Sequence, residues 1–269
     1  MTTAIESPMS LWIEHIKTQL EPSRRPAALI QWQATEQPML TGSRLGGPVY
    51  VPSDAAHPMC DGKPLVFLAQ INLAELPAMT GFPRHGLVQF FIACDDVYGC
   101  TFEPCTMDNN SSYRVVYWPD PQERADWVSS IRPDAAVDGL PHDPTQCFAM
   151  QFTATDHLAG PQDIVFEQLF GTDFFEIEPP TALNLDADHA RDTIFDVLTI
   201  NGSHVGGYPS FTQYDPRPSD SRLVLLLQLD TDDSVNMMWG DSGIANFFID
   251  PKQLAAADFS QVLYNWDCC

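Results

Sequence analysis

One order of motifs occurs twice in this chain, and that repetition constrains its fold more than any other feature. LGGPVYVP (45–52) is followed by LVFLAQINLAE (65–75) and GLVQFFIACDD (86–96). VGGYPSFTQ (205–213) is followed by LVLLLQLDTDD (223–233) and GIANFFIDPKQL (243–254). The spacing is 160 residues from Gly46 to Gly206, 158 from Gln70 to Gln228, and 157 from Gly86 to Gly243 and from Phe91 to Phe248. Small loop deletions produce a drift of this kind. The matches predict an internal duplication of a β-unit over about 43–118 and 203–262. In each unit Gly-Gly and Pro turn the chain sharply before an apolar strand. A lone hairpin is marginal in water, so the two units are expected to pair about a pseudo-twofold axis. The glycines lack the GxGxxG or P-loop context that cradles phosphate.

A chain of 269 residues is long enough to bury a substantial core, and a single domain over 1–269 is expected. Its net charge of −23, with only 13 Lys and Arg, argues against nucleic acid and anionic membrane as partners. The same field suits a cation or a basic protein. No apolar run reaches the ~18 residues that span a bilayer. The opening MTTAIESPMSLWIEHIK carries acids and a His where a signal peptide needs a continuous apolar block, so a cytoplasmic protein is expected. Its seven cysteines are expected to be reduced there, and no CxxC pair points to zinc.

Ser7-Pro8 opens a helix over about 8–20, with Leu11, Trp12, Ile16 and Leu20 at helical spacing. Strands are predicted at AALIQWQA (27–34), in the first half of PLVFLAQINLAEL (64–76), at GLVQFFIACDD (86–96) and at YRVVYW (113–118). Residues 119–151 are polar and Pro-rich, with a short helix near 121–129, and DADHARDTIFDVL (186–198) reads as a helix with an acidic first turn. The expected class is α+β and β-rich, two sequence-similar β-units with a few peripheral helices.

HVGGYPSFTQYDPR (204–217), LLLQLDTDD (225–233), MMWGDSGIANFFI (237–249) and DFSQV (258–262) resemble the YwqG family, a bacterial family of unknown function. SRLGGPVYVP, PLVFLAQINLAELP, GLVQFFI and YRVVYWP carry the resemblance in the first half, so it runs from about residue 43 to 262. It implies a β-rich fold with few helices and supplies no established catalytic residue. It also implies an association of some relatives with polymorphic toxin genes, and hence an immunity role. One departure stands out: the family's Trp-Pro after the first Gly-Gly motif is His57-Pro58 here.

Nine residues are candidates for binding. His204, Tyr208, Asp215 and Arg217 sit near one turn, where they form either a polar pocket for a small anion or a network holding a long loop. Asp230, Asp232, Asp233 and Asp241 crowd the end of an apolar strand. Asp230, Asp232 and Ser234 fit positions one, three and five of a calcium loop, and Asp241 fits twelve. Val235 stands where such a loop needs Gly, so the plainer reading is a turn with Asp side chains on backbone N–H groups, and no metal or other cofactor is expected. Trp239, followed by Gly240 and Asp241, is either a packing anchor or part of a recognition surface.

No GxSxG elbow and no HExxH spacing is present, and Cys147 has no patterned His partner, so no catalytic residue is assigned and the chain is read as leaning away from an enzyme. The leading expectation is an acidic, non-enzymatic binding protein whose partner is a basic protein such as a toxin. Its acidic stretches near Asp95, at 134–143 and at 230–241 supply the candidate surface. The alternative is a small-molecule binder or hydrolase with its site between the two repeats.

Overall fold

The computed structural model describes residues 7–101, 112–131 and 139–269. Helix α1 (Pro8–Leu20) starts where Ser7 accepts a hydrogen bond from the Ser10 N–H and Pro8 occupies the first turn. The strands are β1 (Arg25–Ala34), β2 (Arg44–Gly46), β3 (Met59–Cys60), β4 (Lys63–Pro64), β5 (Val66–Asn72), β6 (Leu87–Ile92), β7 (Tyr113–Trp118), β8 (Cys147–His157), β9 (His204–Gly206), β10 (Val224–Asp230), β11 (Ile244–Ile249) and β12 (Val262–Asp267). Three further helices are α2 (Ile164–Phe170), α3 (Ala187–Leu198) and α4 (Pro251–Ala255).

Ten strands form one antiparallel sheet in the order β12-β11-β10-β9-β1-β8-β2-β5-β6-β7, and β3 pairs with β4 apart from it. The long strands β1 and β8 pair at its centre, from Arg25 opposite His157 to Ala34 opposite Phe148. Each flank docks on the central strand that lies further along or further back in the chain: β2 pairs with β8, and β9 pairs with β1.

The flanks carry the same local devices. Arg44 stands opposite Gln70 and His204 opposite Gln228. The ladder register shifts between Phe67 and Ala69 on one side and between Leu225 and Leu227 on the other. Gln70 donates to the Leu40 and Gly42 carbonyls, at 2.9 and 2.7 Å. Gln228 donates to those of Ile200 and Gly202, at 3.3 and 3.0 Å. Gly46 and Gly47 adopt φ of 62° and 80°, and Gly206 and Gly207 adopt 68° and 70°.

The sheet curls until it is nearly closed. Phe90 of β6 meets Phe247 of β11 with ring centroids 4.8 Å apart. Tyr113 on edge strand β7 donates its hydroxyl to the Val262 carbonyl on edge strand β12, at 2.6 Å. Burial on both faces explains why β6 and β11 are apolar-rich runs without polar alternation. A second apolar cluster joins the helices through Trp12, Ile16, Phe166, Ile194 and Leu198, and includes Tyr208 from the turn after β9.

The structure departs from the sequence reading within 119–151. No α-helix lies near 121–129, only a 3-10 turn at Ala125–Trp127. The end of the same stretch enters β8, whose burial pattern does not alternate cleanly because the long antiparallel pair it forms with β1 is partly exposed. Of the acidic stretch at 134–143, residues 134–138 lie outside the described residues. No described helix is long and apolar enough to cross a membrane.

Candidate functional site

The two Gly-Gly turns are built alike and surrounded differently. At the first, Arg44 spans the turn: its guanidinium donates to the Gly42 carbonyl at 3.0 Å and to the Pro48 carbonyl beyond the glycines. At the second, His204 spans the equivalent carbonyls, with Nδ1 3.0 Å from Gly202 O and Nε2 2.9 Å from Tyr208 O. Burial pulls the Arg44 guanidinium down to about 10, against the nearby Cys147, Glu123 and Glu75. Burial also lowers the His204 pKa against its two carbonyl contacts, and a neutral ring donates to only one of them.

The helical layer covers the second turn. Tyr208 is buried among α1, α2 and α3 and donates to the Ser23 carbonyl at 2.6 Å. A Cβ on Gly206 would stand 2.5 Å from Met79 Cε, and one on Gly207 would run into the His157 ring. The Arg217 guanidinium binds both Asp163, the cap of α2, and Asp215, each at 2.6 Å, and faces the Phe248 ring at 4.6 Å. Burial pushes the Asp163 carboxyl up, with Arg217 opposing it.

Of the nine candidates, His204, Tyr208 and Arg217 are therefore buried and spent on these contacts, with Asp215 beside Arg217. Asp230 accepts from the Gly202 N–H at 2.7 Å, and burial raises its pKa. Asp232 accepts from the Ser234 N–H at 2.8 Å as the cap of a short 3-10 turn. Asp233 and Asp241 are exposed. Trp239 is wholly buried against Tyr98, Tyr264 and Trp266. Among the described residues no group of three or more His, Cys, Asp and Glu is placed to hold a metal ion.

The first turn borders open space. A cleft of about 400 Å³ is lined by Gly47, Pro48, Val49, His57, Val66, Phe67, Ile131, Pro144 and Thr145. A second, of about 660 Å³, shares Gly47, Pro48 and Thr145 with it and continues past Thr35, Glu36, Gln146, Cys147 and Phe148. None of the nine sequence candidates lines either cleft. His57, the departure from the resembling family's Trp, forms part of the apolar wall. Its Nε2 lies 2.8 Å from Leu65 O, its Nδ1 3.2 Å from Ser129 Oγ, and its ring meets the Phe91 ring edge-on. The space for a Cβ on Gly47 lies 2.8 Å from Cys147 Sγ and 3.8 Å from Arg44 Nε, so Arg44 lies just behind the cleft floor. Burial pushes the Cys147 thiol up, with Arg44 drawing it back.

The cleft walls come from the turn after β2, the start of β5, the end of β1 and the start of β8 with the loops beside them, and the pairing of β2 with β8 brings together segments about 100 residues apart. LGGP was visible in the sequence as one wall. Its partner lay at the end of a stretch that reads as coil, and nothing local marked Thr145 to Phe148 as facing it.

The family model for a domain of unknown function, DUF1963, matches residues 43–268. The chain belongs to this family. In DUF1963 terms, the matched segment begins just before the first Gly-Gly turn and takes in both turns, the clefts' walls from residue 43 onward and all of β12. Helix α1 and strand β1 precede it. No curated protein matches the chain.

Proposed function

We propose that this DUF1963 chain is a binding protein whose small-molecule ligand sits in the paired clefts at the first Gly-Gly turn. The observation that carries the reading is the asymmetry between two similar turns: Tyr208 is sealed under the helical layer, whereas Pro48, in the matching place, lines both clefts. A cleft of several hundred Å³ with apolar walls and few polar groups is the usual form of such a site. The seat lies where β2 of one flank meets β8, and the two flanks are read as copies of one unit. The matched glutamines, register shifts and Gly-Gly turns support that duplication, and the long run of shared motifs supports a YwqG-like relationship within DUF1963.

The test is a fragment screen by thermal shift on the full chain, repeated on Thr145→Trp. Thr145 is exposed and shared by both clefts, so the indole fills them at little cost to folding. Fragments that raise the Tm of the parent protein and not of the variant support the reading. A screen in which every stabilising fragment acts equally on both proteins overturns it.

A second reading is an acidic surface that docks a basic protein, such as a toxin, in the cytoplasm. It is favoured by charge: Arg44 and Arg217 are buried, but so are Asp163 and Asp267, so the exposed surface keeps the strongly acidic balance of the net −23. Pull-down at low and high salt tests it, and binding indifferent to salt counts against it.

A further inference from the structure

We propose that the ligand of these clefts is an amphipathic cation: an aromatic body carrying a protonated amine. This rests on the reading of the clefts as a binding site. The smaller cleft is an apolar trough of Pro48, Val49, Val66, Phe67, Ile131 and Pro144. A cavity of about 150 Å³ holds a benzene ring, so about 400 Å³ admits a bicyclic aromatic body.

The charge on the ligand is fixed by what lines the open end. Glu36 is exposed at the rim of the larger cleft, and among the described lining residues of the two clefts no Lys or Arg accompanies it. Thr35 and Gln146 add neutral acceptors beside it. Arg44 lies behind the floor and lines neither cleft, although its buried Nε has no hydrogen-bond partner among the described residues. Its Nη1 and Nη2 donate to the carbonyls of Met39, Leu40, Gly42 and Pro48, and Glu75 and Glu123 lie near enough to offset its charge. A net charge of −23 draws cations toward any mouth on this surface and repels anions. An anionic ligand would meet Glu36 and the field together, and a purely apolar one would leave the polar end of the larger cleft unused.

Three indole probes of matched shape separate the cases: tryptamine, the neutral indole-3-ethanol, and indole-3-propionate. Binding to the full chain is read by calorimetry at pH 7. Occupancy of this cleft is read separately, as protection of Cys147 from N-ethylmaleimide by mass spectrometry, with exposed Cys94 and Cys269 as internal controls. Tryptamine is expected to bind about fivefold more tightly than the neutral probe, the size of one partly exposed charge pair, and to protect Cys147 alone. Glu36→Gln, at an exposed position, is expected to remove most of that preference and leave the neutral probe unchanged. Equal affinity for the three probes, or preference for the propionate, with Cys147 still protected, overturns the cation assignment and leaves the binding site standing. Failure of all three to protect Cys147 overturns both.

Discussion

Gly46 and Gly81 both adopt a left-handed backbone, at φ 62° and 88°, but their surroundings differ. A Cβ on Gly81 meets nothing within 4 Å, whereas one on Gly46 runs into the Gln146 carbonyl and stands 3.0 Å from His142 Nε2. Gly81→Ala is therefore expected to cost about 1 kcal/mol, the conformational term alone. Gly46→Ala adds a backbone clash and is expected to cost more than about 2 kcal/mol. Urea unfolding midpoints of the two variants check the difference. His157 is a second residue whose burial decides its chemistry. Burial, and then His204 beside it at 4.8 Å, hold its pKa down from 6.5 to about 3. A depressed histidine binds its proton more readily in the unfolded chain, so its contribution is complete above pH 6.5 and is lost as pH falls toward 3. Stability is expected to fall by about 1.4 kcal/mol per pH unit below that point from this group. His157→Leu is expected to flatten the slope in unfolding curves taken between pH 7.5 and 5. Some slope remains, because burial lowers the pKa of His142 and His204 as well.

The glutamines in β5 and β10 each hold a loop onto the sheet. Gln70 and Gln228 are fully buried, and each serves two carbonyls that β-ladder bonding leaves free. Replacing Gln70 by Leu takes the acceptor from the buried Gln89 amide, and replacing Gln228 by Leu takes it from the Ser210 N–H, so each is expected to cost about 1–3 kcal/mol. Four strands stand between β5 and β10 in the sheet, so the double variant is expected to lose the sum of the two. Denaturant titration of both singles and the double measures this. At this scale the sequence was informative wherever a strand is buried on both faces. VFLAQIN and IANFFI read as apolar runs, and YRVVYW matched β7 residue for residue. It was uninformative for β8, which mixes Cys, Phe, Met, Gln, Thr and Asp because its faces are only partly covered. The helix read at 186–198 forms as Ala187–Leu198 with Asp186 as its cap, since that cap and the i, i+4 spacing of Ala190, Ile194 and Leu198 are local signals.

Closure of the sheet belongs to the whole molecule. Phe90 and Phe247 come from opposite flanks and meet across the interior, so they are expected to couple by about 0.5–1.5 kcal/mol in a double-mutant cycle of Phe90→Leu and Phe247→Leu. Additive losses would mean that the flanks close without help from this pair. The hydroxyl of Tyr113 joins the two edges of the same sheet, and Tyr113→Phe is expected to speed amide hydrogen exchange in β7 and β12 before the centre.

The sequence by itself determined the first helix, the strands β1, β5, β6 and β7 with the repeat counterparts β10 and β11, both Gly-Gly turns and the strongly acidic balance. Each of these is written in local spacing or in composition. Only the tertiary structure decided which turn stayed open. The candidate residues clustered at the second turn because its polar groups are dense in sequence, but there His204 and Arg217 are consumed in holding loops under the helical layer. At the first turn the wall facing LGGP comes from Thr145 to Phe148, about 100 residues away, and no local pattern records that pairing. A cleft is the space left between packed elements. It depends on what each neighbour covers, which is a property of the assembled layers and not of either segment alone.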